Sequence, residues 1–242
     1  MRTNFIYKED CLKTLSRMED DSIDLVITSP PYNMNLRISS GKYHSRQVVK
    51  ELTTKYKDFS DNLPIEDFYN FHSKVLRELL RVSDLIFYNI QIVTGSKRAF
   101  FKIIGEFSDH LKDIIIWDKG HAQPAILEKV LNRQSELILI FEKDYPISRQ
   151  FRKRGQFRRG TLSDIWSISR ESNKLDHGAV FPEQLVETIL LNFSKSEDLI
   201  YDPFMGSGTT GAACKKLGRK FIGSEICTEY IDFARKRIKR IK

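Results

Sequence analysis

A glycine-containing turn in the last quarter of the chain carries residues suited to holding a nucleoside-bearing ligand. The apolar run 199–201 leads into Asp-Pro-Phe-Met-Gly-Ser-Gly-Thr-Thr at 202–210, and small, helix-forming residues follow at 211–217. This order predicts a strand that turns sharply into a helix. Glycines allow positive φ and close backbone approach, and a helix start offers unpaired N–H groups to an anionic group. The segment therefore predicts a ligand-binding turn.

A second predicted strand, 220–224, follows the glycine turn and ends at Glu225, where a carboxylate can accept the two hydroxyls of a ribose. Residues 206–211 match G-x-G-x-x-G, so the unit fits a nicotinamide dinucleotide as well as S-adenosylmethionine (AdoMet). A purely structural glycine turn is a third interpretation. Two features favour AdoMet: Asp202 suits a cationic amino-acid group, and little chain follows for a six-stranded dinucleotide domain.

The segment Ser29-Pro30-Pro31-Tyr32 follows a predicted buried strand at 23–28 and is the second candidate site. Its two prolines fix φ and remove two amide donors, so the segment cannot continue as helix or sheet. Ser29 Oγ and the Pro30 carbonyl can accept hydrogen bonds from the exocyclic amine of a planar base, and Tyr32 can stack on that base. Taken alone, the segment fits a proline turn with a packed tyrosine better than a base-binding loop.

Taken together and in this order, the two segments resemble the motifs of amino-group DNA methyltransferases, which methylate cytosine N4 or adenine N6. Ser29-Pro30-Pro31-Tyr32 resembles the catalytic S/D-P-P-Y motif, and Phe204-Met205-Gly206-Ser207-Gly208 resembles the AdoMet-binding F-x-G-x-G motif, in the permuted order of the β group. The resemblance covers nearly the whole chain.

The fold class expected from alternating strands and helices is α/β, with a mainly parallel sheet and helices on both faces. The resemblance further implies a single methyltransferase domain, residues 1–242, with a circularly permuted, Rossmann-like sheet of seven strands and one antiparallel edge strand. The sequence pattern places strands at 5–7, 85–90, 114–117 and 136–141, and helices at 65–81 and about 97–111. Residues 120–133 have an irregular pattern, and 34–62 are predicted to be a long loop.

The resemblance implies site residues at the strand ends. The catalytic set is Ser29, Pro30, Pro31 and Tyr32. The cofactor set is Asp10, His177, Phe181, Asp202, Phe204, Gly206, Ser207, Gly208, Thr209, Thr210 and Glu225. Asp10 is equally a candidate N-cap for the first helix. His177 and Phe181 come from a segment similar to the family's H-P-x-x-x-P, in which Gly178 replaces the frequent proline.

The target base is predicted from the first motif position. Ser29, together with Ala179-Val180-Phe181-Pro182, resembles the cytosine-N4 enzymes, whereas adenine-N6 enzymes usually have Asp there. We therefore expect cytosine N4, with adenine N6 as the alternative. Accepting the amine hydrogens at Ser29 and Pro30 would free the nitrogen lone pair for in-line attack on the sulfonium methyl group. The base would have to be flipped out of the duplex to reach this loop.

Net charge and a basic segment point toward a polyanionic partner, double-stranded DNA. The chain carries a net charge of +8, and six cations interleaved with phenylalanines occur within 149–160. This pattern predicts phosphate contacts, although a solvated charged face has the same composition. The predicted DNA-contacting segments are 34–62 and 119–160, with Arg149, Arg152, Lys153, Arg154, Arg158 and Arg159 as DNA-binding residues.

Other features bound the function. Cys11, Cys214 and Cys227 are widely spaced, follow no proline and form no cluster with histidine, which argues against a metal site, a disulfide framework and cytosine-C5 chemistry. No apolar run reaches membrane-spanning length, so we expect a cytoplasmic protein without a membrane partner. The resemblance suggests a cognate restriction endonuclease and a homodimer as candidate partners. A nicotinamide oxidoreductase and a noncatalytic DNA-binding module remain the alternatives from other classes.

Overall fold

Strands and helices alternate along most of the chain. The computed structural model describes residues 1–33, 37–39, 42–44, 63–93, 95–123, 128–129, 131–144, 146–170 and 181–241. The strands are β1 (Phe5–Lys8), β2 (Leu25–Thr28), β3 (Arg37–Ser39), β4 (Lys42–His44), β5 (Leu85–Ile90), β6 (Leu111–Gln123), β7 (Arg133–Glu142), β8 (Ile165–Ser167), β9 (Leu199–Asp202) and β10 (Lys220–Glu225). The helices are α1 (Cys11–Leu15), α2 (Ile65–Val82), α3 (Lys97–Glu106), α4 (Glu183–Phe193), α5 (Thr209–Lys216) and α6 (Thr228–Arg240), with a 3-10 turn at Ser108–His110.

The main sheet has eight strands in the order β1-β10-β9-β2-β5-β7-β6-β8. Strands β1, β10, β9, β2 and β5 pair in parallel. Strand β7 runs antiparallel to both of its neighbours, β5 and β6, and β8 is parallel to β6. A mainly parallel α/β sheet is therefore confirmed, and β7 is the reversed strand among those described.

The strand count and the position of the reversed strand differ from the prediction. The sheet has eight strands, because the three-residue β8 adds to the edge of β6. Such a short strand, in which only Trp166 is buried, leaves no periodic signal in the sequence. The antiparallel strand is internal because β6 and β7 form one hairpin that inserts β7 between β5 and β6.

Helices cover both faces of the sheet. Helices α4, α5 and α6 contribute Leu185, Ala213 and Ala234 to the core cluster on one face. Helices α1, α2 and α3 contribute Leu15, Leu76 and Phe100 to the cluster on the other. A parallel strand buried on both sides needs apolar residues throughout, and β2 and β5 are fully buried along their length. The predicted layering is confirmed.

Two segments predicted to be irregular contain strands. Strand β6 continues to Gln123 and β7 begins at Arg133, so 120–123 and 133 belong to strands. Within 34–62, β3 and β4 pair antiparallel, with Ile38 opposite Tyr43. The remaining residues of that segment lie outside the described part of the chain.

The first strand of the chain lies beside the last. Strand β1 pairs with β10, Lys8 standing opposite Glu225, while β9 pairs with β2 at Val26 and Tyr201. This arrangement agrees with the predicted permutation, because it brings the segments after β2 and β9 to the same edge of the sheet. Among the described residues, no helix combines the length and apolar character needed to cross a membrane.

Candidate active site

The two motif-bearing segments meet at the carboxyl edge of the sheet. Ser29 follows β2 and Pro203 follows β9, and these two strands are parallel neighbours. The Thr28 hydroxyl donates a hydrogen bond of 2.8 Å to Asp202 Oδ1, which joins the last residues of the two strands. The segment 29–33, here called the proline loop, and the glycine turn at 202–210 therefore begin side by side, although 174 positions separate Thr28 from Asp202 in the chain.

Asp202 is the buried carboxylate at this junction, with 4% of its surface exposed. Besides Thr28, it accepts hydrogen bonds from the Thr210 hydroxyl at 2.6 Å and from the Phe204 amide at 3.0 Å. Burial raises the pKa of Asp202 to about 6, and these hydrogen bonds oppose that shift. Asp202 thus fixes the entry and exit of the glycine turn and places negative charge beneath it.

The glycine turn depends on two residues in the left-handed region, Gly206 at φ 50° and Gly208 at φ 78°. Gly208 packs against α6, since a Cβ there would lie 2.6 Å from the Cβ of Ala234. A Cβ on Gly206 would meet the Phe204 carbonyl oxygen at 3.7 Å, an ordinary van der Waals contact. Gly208 is therefore required by protein packing, whereas Gly206 leaves room on the side where a ligand would lie.

Glu225 ties the end of β10 to the glycine turn. Its Oε2 accepts the Gly206 amide at 2.9 Å, and its Oε1 accepts the Cys227 amide at 2.9 Å. Burial raises the pKa of Glu225, and the amide hydrogen bonds oppose that change.

Asp10 lies two positions after Lys8, the residue that pairs with Glu225. It is exposed and caps α1 by accepting a hydrogen bond from the Leu12 amide at 2.8 Å. The N-cap interpretation of Asp10 is confirmed, and its cofactor contact stays a prediction.

The proline loop is held by a buried tyrosine. Tyr32 is 6% exposed, and its hydroxyl lies 2.7 Å from Ser29 Oγ. Pro30 and Pro31 are buried as well, whereas Ser29 is half-buried. Asn33 closes the loop: its side-chain amide donates to the Leu63 carbonyl at 3.0 Å and its carbonyl accepts the Leu63 amide at 2.8 Å. The loop is thus rigid, with Ser29 as its accessible polar group; base stacking by Tyr32 stays a prediction.

Three polar residues behind the proline loop were missed by the sequence analysis. Asn89 Nδ2 donates to the Tyr32 hydroxyl at 2.6 Å and to Glu136 Oε2 at 2.9 Å. Lys119 Nζ lies 3.1 Å from Glu136 Oε1 in a buried ion pair. The available signal was a polar residue in an otherwise apolar strand, as Asn89 is in Leu-Ile-Phe-Tyr-Asn-Ile. Nothing in the sequence pairs Asn89 with residues of the later hairpin.

The remaining predicted cofactor residues divide into buried and accessible ones. Thr209 and Thr210 are buried, and the Thr209 hydroxyl accepts a hydrogen bond of 2.9 Å from Arg237. Phe204, Gly206 and Ser207 are half-buried. Phe181 precedes α4, and its ring centroid lies 6.3 Å from that of Trp117 in β6. His177, Ala179 and Val180 lie outside the described residues.

The basic segment 149–160 lies at the opposite edge of the sheet. Lys153 forms ion pairs with Asp84 and Asp144, and Arg154 pairs with Asp24 at 2.7 Å and with Asp198 at 3.3 Å. Asp24, Asp84 and Asp198 immediately precede β2, β5 and β9, so they mark the amino ends of the parallel strands. The site described above lies at the carboxyl ends.

The partners of two residues in the segment bear on its predicted role. Lys153 and Arg154 already pair with carboxylates at the amino ends of the strands, and phosphate contacts by these two residues stay a prediction. Phe151 and Phe157 are not free to stack on bases, because their rings pack 5.0 and 5.3 Å from that of Phe193 in the core. DNA binding by Arg149, Arg152, Arg158 and Arg159 stays a prediction.

Comparison with known proteins places this site in a family context. The N6_N4_Mtase family, described as DNA methylase, matches residues 23–236. Type II methyltransferase M.BglII of Bacillus subtilis is 28% identical over 96% of this chain and 68% of its own length. Among solved structures, the PvuII DNA methyltransferase, named as cytosine-N4-specific, superimposes with a TM-score of 0.73 at 18% identity, covering 98% of this chain and 86% of that one. The M1.HpyAVI–SAM complex gives 0.61 at 23% identity, covering 96% and 98%.

Proposed function

Because this chain belongs to the N6_N4_Mtase family of DNA methylases, we propose that it transfers a methyl group from AdoMet to N4 of a cytosine in double-stranded DNA. The observation that carries this proposal is the hydrogen bond of 2.8 Å between Thr28 and Asp202. It holds a rigid acceptor loop beside a turn with room for a nucleoside cofactor. Neither a nicotinamide enzyme nor a noncatalytic DNA-binding module accounts for that pairing.

The cofactor site in this proposal is the glycine turn and its two acids. Gly206 and Ser207 line the accessible side of the turn, where the backbone of a ligand-binding loop can approach closely. The negative charge of Asp202 attracts the cationic amino-acid end of AdoMet, and Glu225, at the end of the next strand, accepts the ribose hydroxyls. The sulfonium methyl group would then face the adjacent loop after β2.

The proline loop would act on the target amine. An exocyclic amine is a poor nucleophile because its lone pair is delocalised into the ring. Ser29 Oγ and the Pro30 carbonyl accept its hydrogens, which favours a pyramidal nitrogen and frees the lone pair for attack on the methyl carbon. The amine lies inside the stack of a duplex, so the base is flipped into the site. No covalent enzyme intermediate is needed.

The choice of cytosine over adenine is supported by Ser29 at the first motif position. Serine there resembles the cytosine-N4 enzymes, and adenine-N6 methylation by the same mechanism is the alternative. Both bases present an amine next to a ring nitrogen, so the loop chemistry serves either one. Mass spectrometry of nucleosides from DNA incubated with the protein and AdoMet decides between them. We expect N4-methylcytosine. Detection of N6-methyladenine alone would reassign the base, and the absence of both methylated nucleosides would overturn the proposed function.

We place the DNA on the carboxyl edge, against the β6–β7 hairpin. The end of β5 pairs with β7 at Ile90 and Leu137, so residues 133–136 of β7 extend past the sheet edge next to the site. Such a projecting hairpin can contact a duplex whose base enters the loop. The Type II naming of relatives such as M.BglII supports a restriction–modification role with a cognate endonuclease. Homodimer formation stays a prediction.

AdoMet binding is expected to weaken as the pH falls below 6. The pKa of Asp202 is raised to about 6, so the carboxylate is ionised at pH 7 and largely protonated at pH 5. If the cofactor's ammonium group requires the ionised form, its dissociation constant should rise about tenfold between these pH values. Calorimetric titration of AdoMet across this range measures the effect. Asp202→Asn should bind weakly and without this pH dependence; a wild-type dissociation constant that stays flat would contradict the role of Asp202.

A further inference from the structure

The hydrogen bonds behind the proline loop converge on one carboxylate. Glu136 Oε2 accepts from Asn89 Nδ2 at 2.9 Å and from the Tyr32 hydroxyl at 3.4 Å, and Lys119 lies 3.1 Å from Oε1. An ionised carboxylate can only accept hydrogen bonds. The Tyr32 hydroxyl is therefore the donor in its 3.4 Å contact with Glu136, and Asn89 donates to the tyrosine oxygen at 2.6 Å.

This direction determines what Ser29 can do. Either hydroxyl can donate in the 2.7 Å contact between Ser29 Oγ and the Tyr32 oxygen, and the donor is Ser29 when the Tyr32 hydrogen is directed to Glu136. The lone pairs of Ser29 Oγ then remain as acceptors. Asn89 Nδ2 approaches Ser29 Oγ only at 3.3 Å, since its two hydrogens have shorter partners in Tyr32 and Glu136. Glu136 thereby sets Ser29 as an acceptor toward the open side of the loop.

The Lys119–Glu136 pair is too buried to be a surface ion pair. The side chain of Lys119 is 0% exposed and that of Glu136 is 10% exposed. Burial lowers the pKa of Lys119, against the opposing effect of Glu136, and Arg170 lowers it further. A buried pair of this kind is often no more stabilising than apolar residues of similar size. Its position, within two hydrogen bonds of Ser29, indicates a role in the chemistry of the loop.

We propose that Glu136 acts through Tyr32 and Ser29 as the final acceptor of the proton released by methyl transfer. The amine lone pair forms the N–CH₃ bond, while the C–S electrons pass to sulfur and leave a neutral thioether. The methylated amine, now cationic, gives a proton to Ser29 Oγ. The serine hydrogen passes to Tyr32, and the tyrosine hydrogen passes to Glu136, which becomes neutral. The Lys119 ammonium lies 3.1 Å from the carboxylate that receives this proton.

The inference rests on the proposed function and deepens it at the same site. Glu136 does not touch the substrate, so it is a positioning residue whose effect is transmitted by Tyr32 and Ser29. The same negative charge also stabilises the positive charge that develops on the amine in the transition state. Removing that charge while keeping the shape of the side chain should therefore slow the chemical step and leave the affinities for AdoMet and DNA nearly unchanged.

Glu136→Gln tests this role in single-turnover methyl transfer at saturating AdoMet. We expect the rate to fall about 100-fold or more, as for loss of general acid–base assistance. The dissociation constants for AdoMet and DNA, measured in parallel, should stay close to the wild-type values, so that the loss lies in the chemical step. Glu142→Gln is the matched control, because Glu142 forms a buried ion pair with Lys112 at the other end of the same hairpin. Glu142→Gln should lose about as much thermal stability as Glu136→Gln but should keep the wild-type rate of methyl transfer.

The double variant Lys119→Met/Glu136→Gln distinguishes the loss of the proton acceptor from the effect of leaving Lys119 buried without a partner. If the rate lost in Glu136→Gln came only from burying Lys119 without a partner, the double variant would recover it, and the proposal would be overturned. We expect the rate to stay low. A Glu136→Gln rate within about threefold of wild type would also overturn it. Wild-type protein that transfers no methyl group would instead refute the proposed function.

Discussion

Ser29→Ala is expected to lower the single-turnover rate of methyl transfer about 100- to 1,000-fold. The serine oxygen is the half-buried acceptor of an otherwise buried loop, and its hydroxyl is oriented by Tyr32 at 2.7 Å. Without it, the amine loses a hydrogen-bond acceptor that acts most strongly as its charge develops. The cofactor turn lies on the neighbouring strand, so the AdoMet dissociation constant should change less than about twofold. Rapid-quench assays with radiolabelled AdoMet measure the rate, and calorimetry measures the affinity.

Ser22→Ala is the matched control for this substitution. Ser22 is exposed, and its hydroxyl donates to the Glu19 carbonyl at 2.6 Å, before the amino end of β2 and away from the loop. The same loss of a hydroxyl should leave the rate unchanged there. A Ser29→Ala rate close to that of Ser22→Ala would mean that the loop acts on the amine without this oxygen.

Gly208→Ala is expected to destabilise the protein by about 2–4 kcal/mol, the sum of a left-handed backbone penalty and overpacking. The new Cβ would lie 2.6 Å from the Cβ and 2.9 Å from the Cα of Ala234. Because the second of these is a backbone atom of α6, the helix would have to move away from the turn. For a chain of this length, the loss corresponds to a fall in melting temperature of about 5–15 °C. AdoMet binding should weaken with it, and thermal unfolding with and without AdoMet measures both effects.

Gly206→Ala provides the comparison for the turn. Gly206 also has a positive φ, 50°, but its added Cβ would meet only the Phe204 carbonyl at 3.7 Å. The stability cost should be limited to backbone strain of about 1–2 kcal/mol. Since that Cβ enters the space assigned to the ligand, AdoMet affinity should fall more than stability does. Equal melting temperatures for the two variants would show that Gly208 does not hold the turn against α6.

Short-range signals allowed much of the fold and of both motif loops to be predicted. A strand, two left-handed glycines and a helix start lie within about a dozen residues, so local propensity determines the turn around Gly206 and Gly208. Pro30 and Pro31 restrict their own backbone in the same local way. The meeting of the two loops was inferred from the family resemblance, and the Thr28–Asp202 hydrogen bond confirms it.

The site residues that the sequence did not reveal are brought together by contacts between strands that are distant in the chain. Lys119 and Glu136 lie on two strands of a hairpin, and they reach Tyr32 only because β7 inserts beside β5. Neither residue has a neighbour in sequence that reveals this placement. The ion pairs of the basic segment could not be predicted for a related reason: Lys153 and Arg154 meet aspartates that are far away in the chain. Amino-acid composition alone cannot distinguish cationic side chains that are available to bind phosphates from those that already form ion pairs.

The most direct test of the central claim is a crystal structure of the protein with AdoMet bound. If the turn and the proline loop form one site, the methyl carbon should face the loop about 5 Å from Ser29 Oγ, because a hydrogen bond and an attack distance meet there at a tetrahedral nitrogen. AdoMet bound at the turn with its methyl group directed away from Ser29, or bound elsewhere on the protein, would contradict the account.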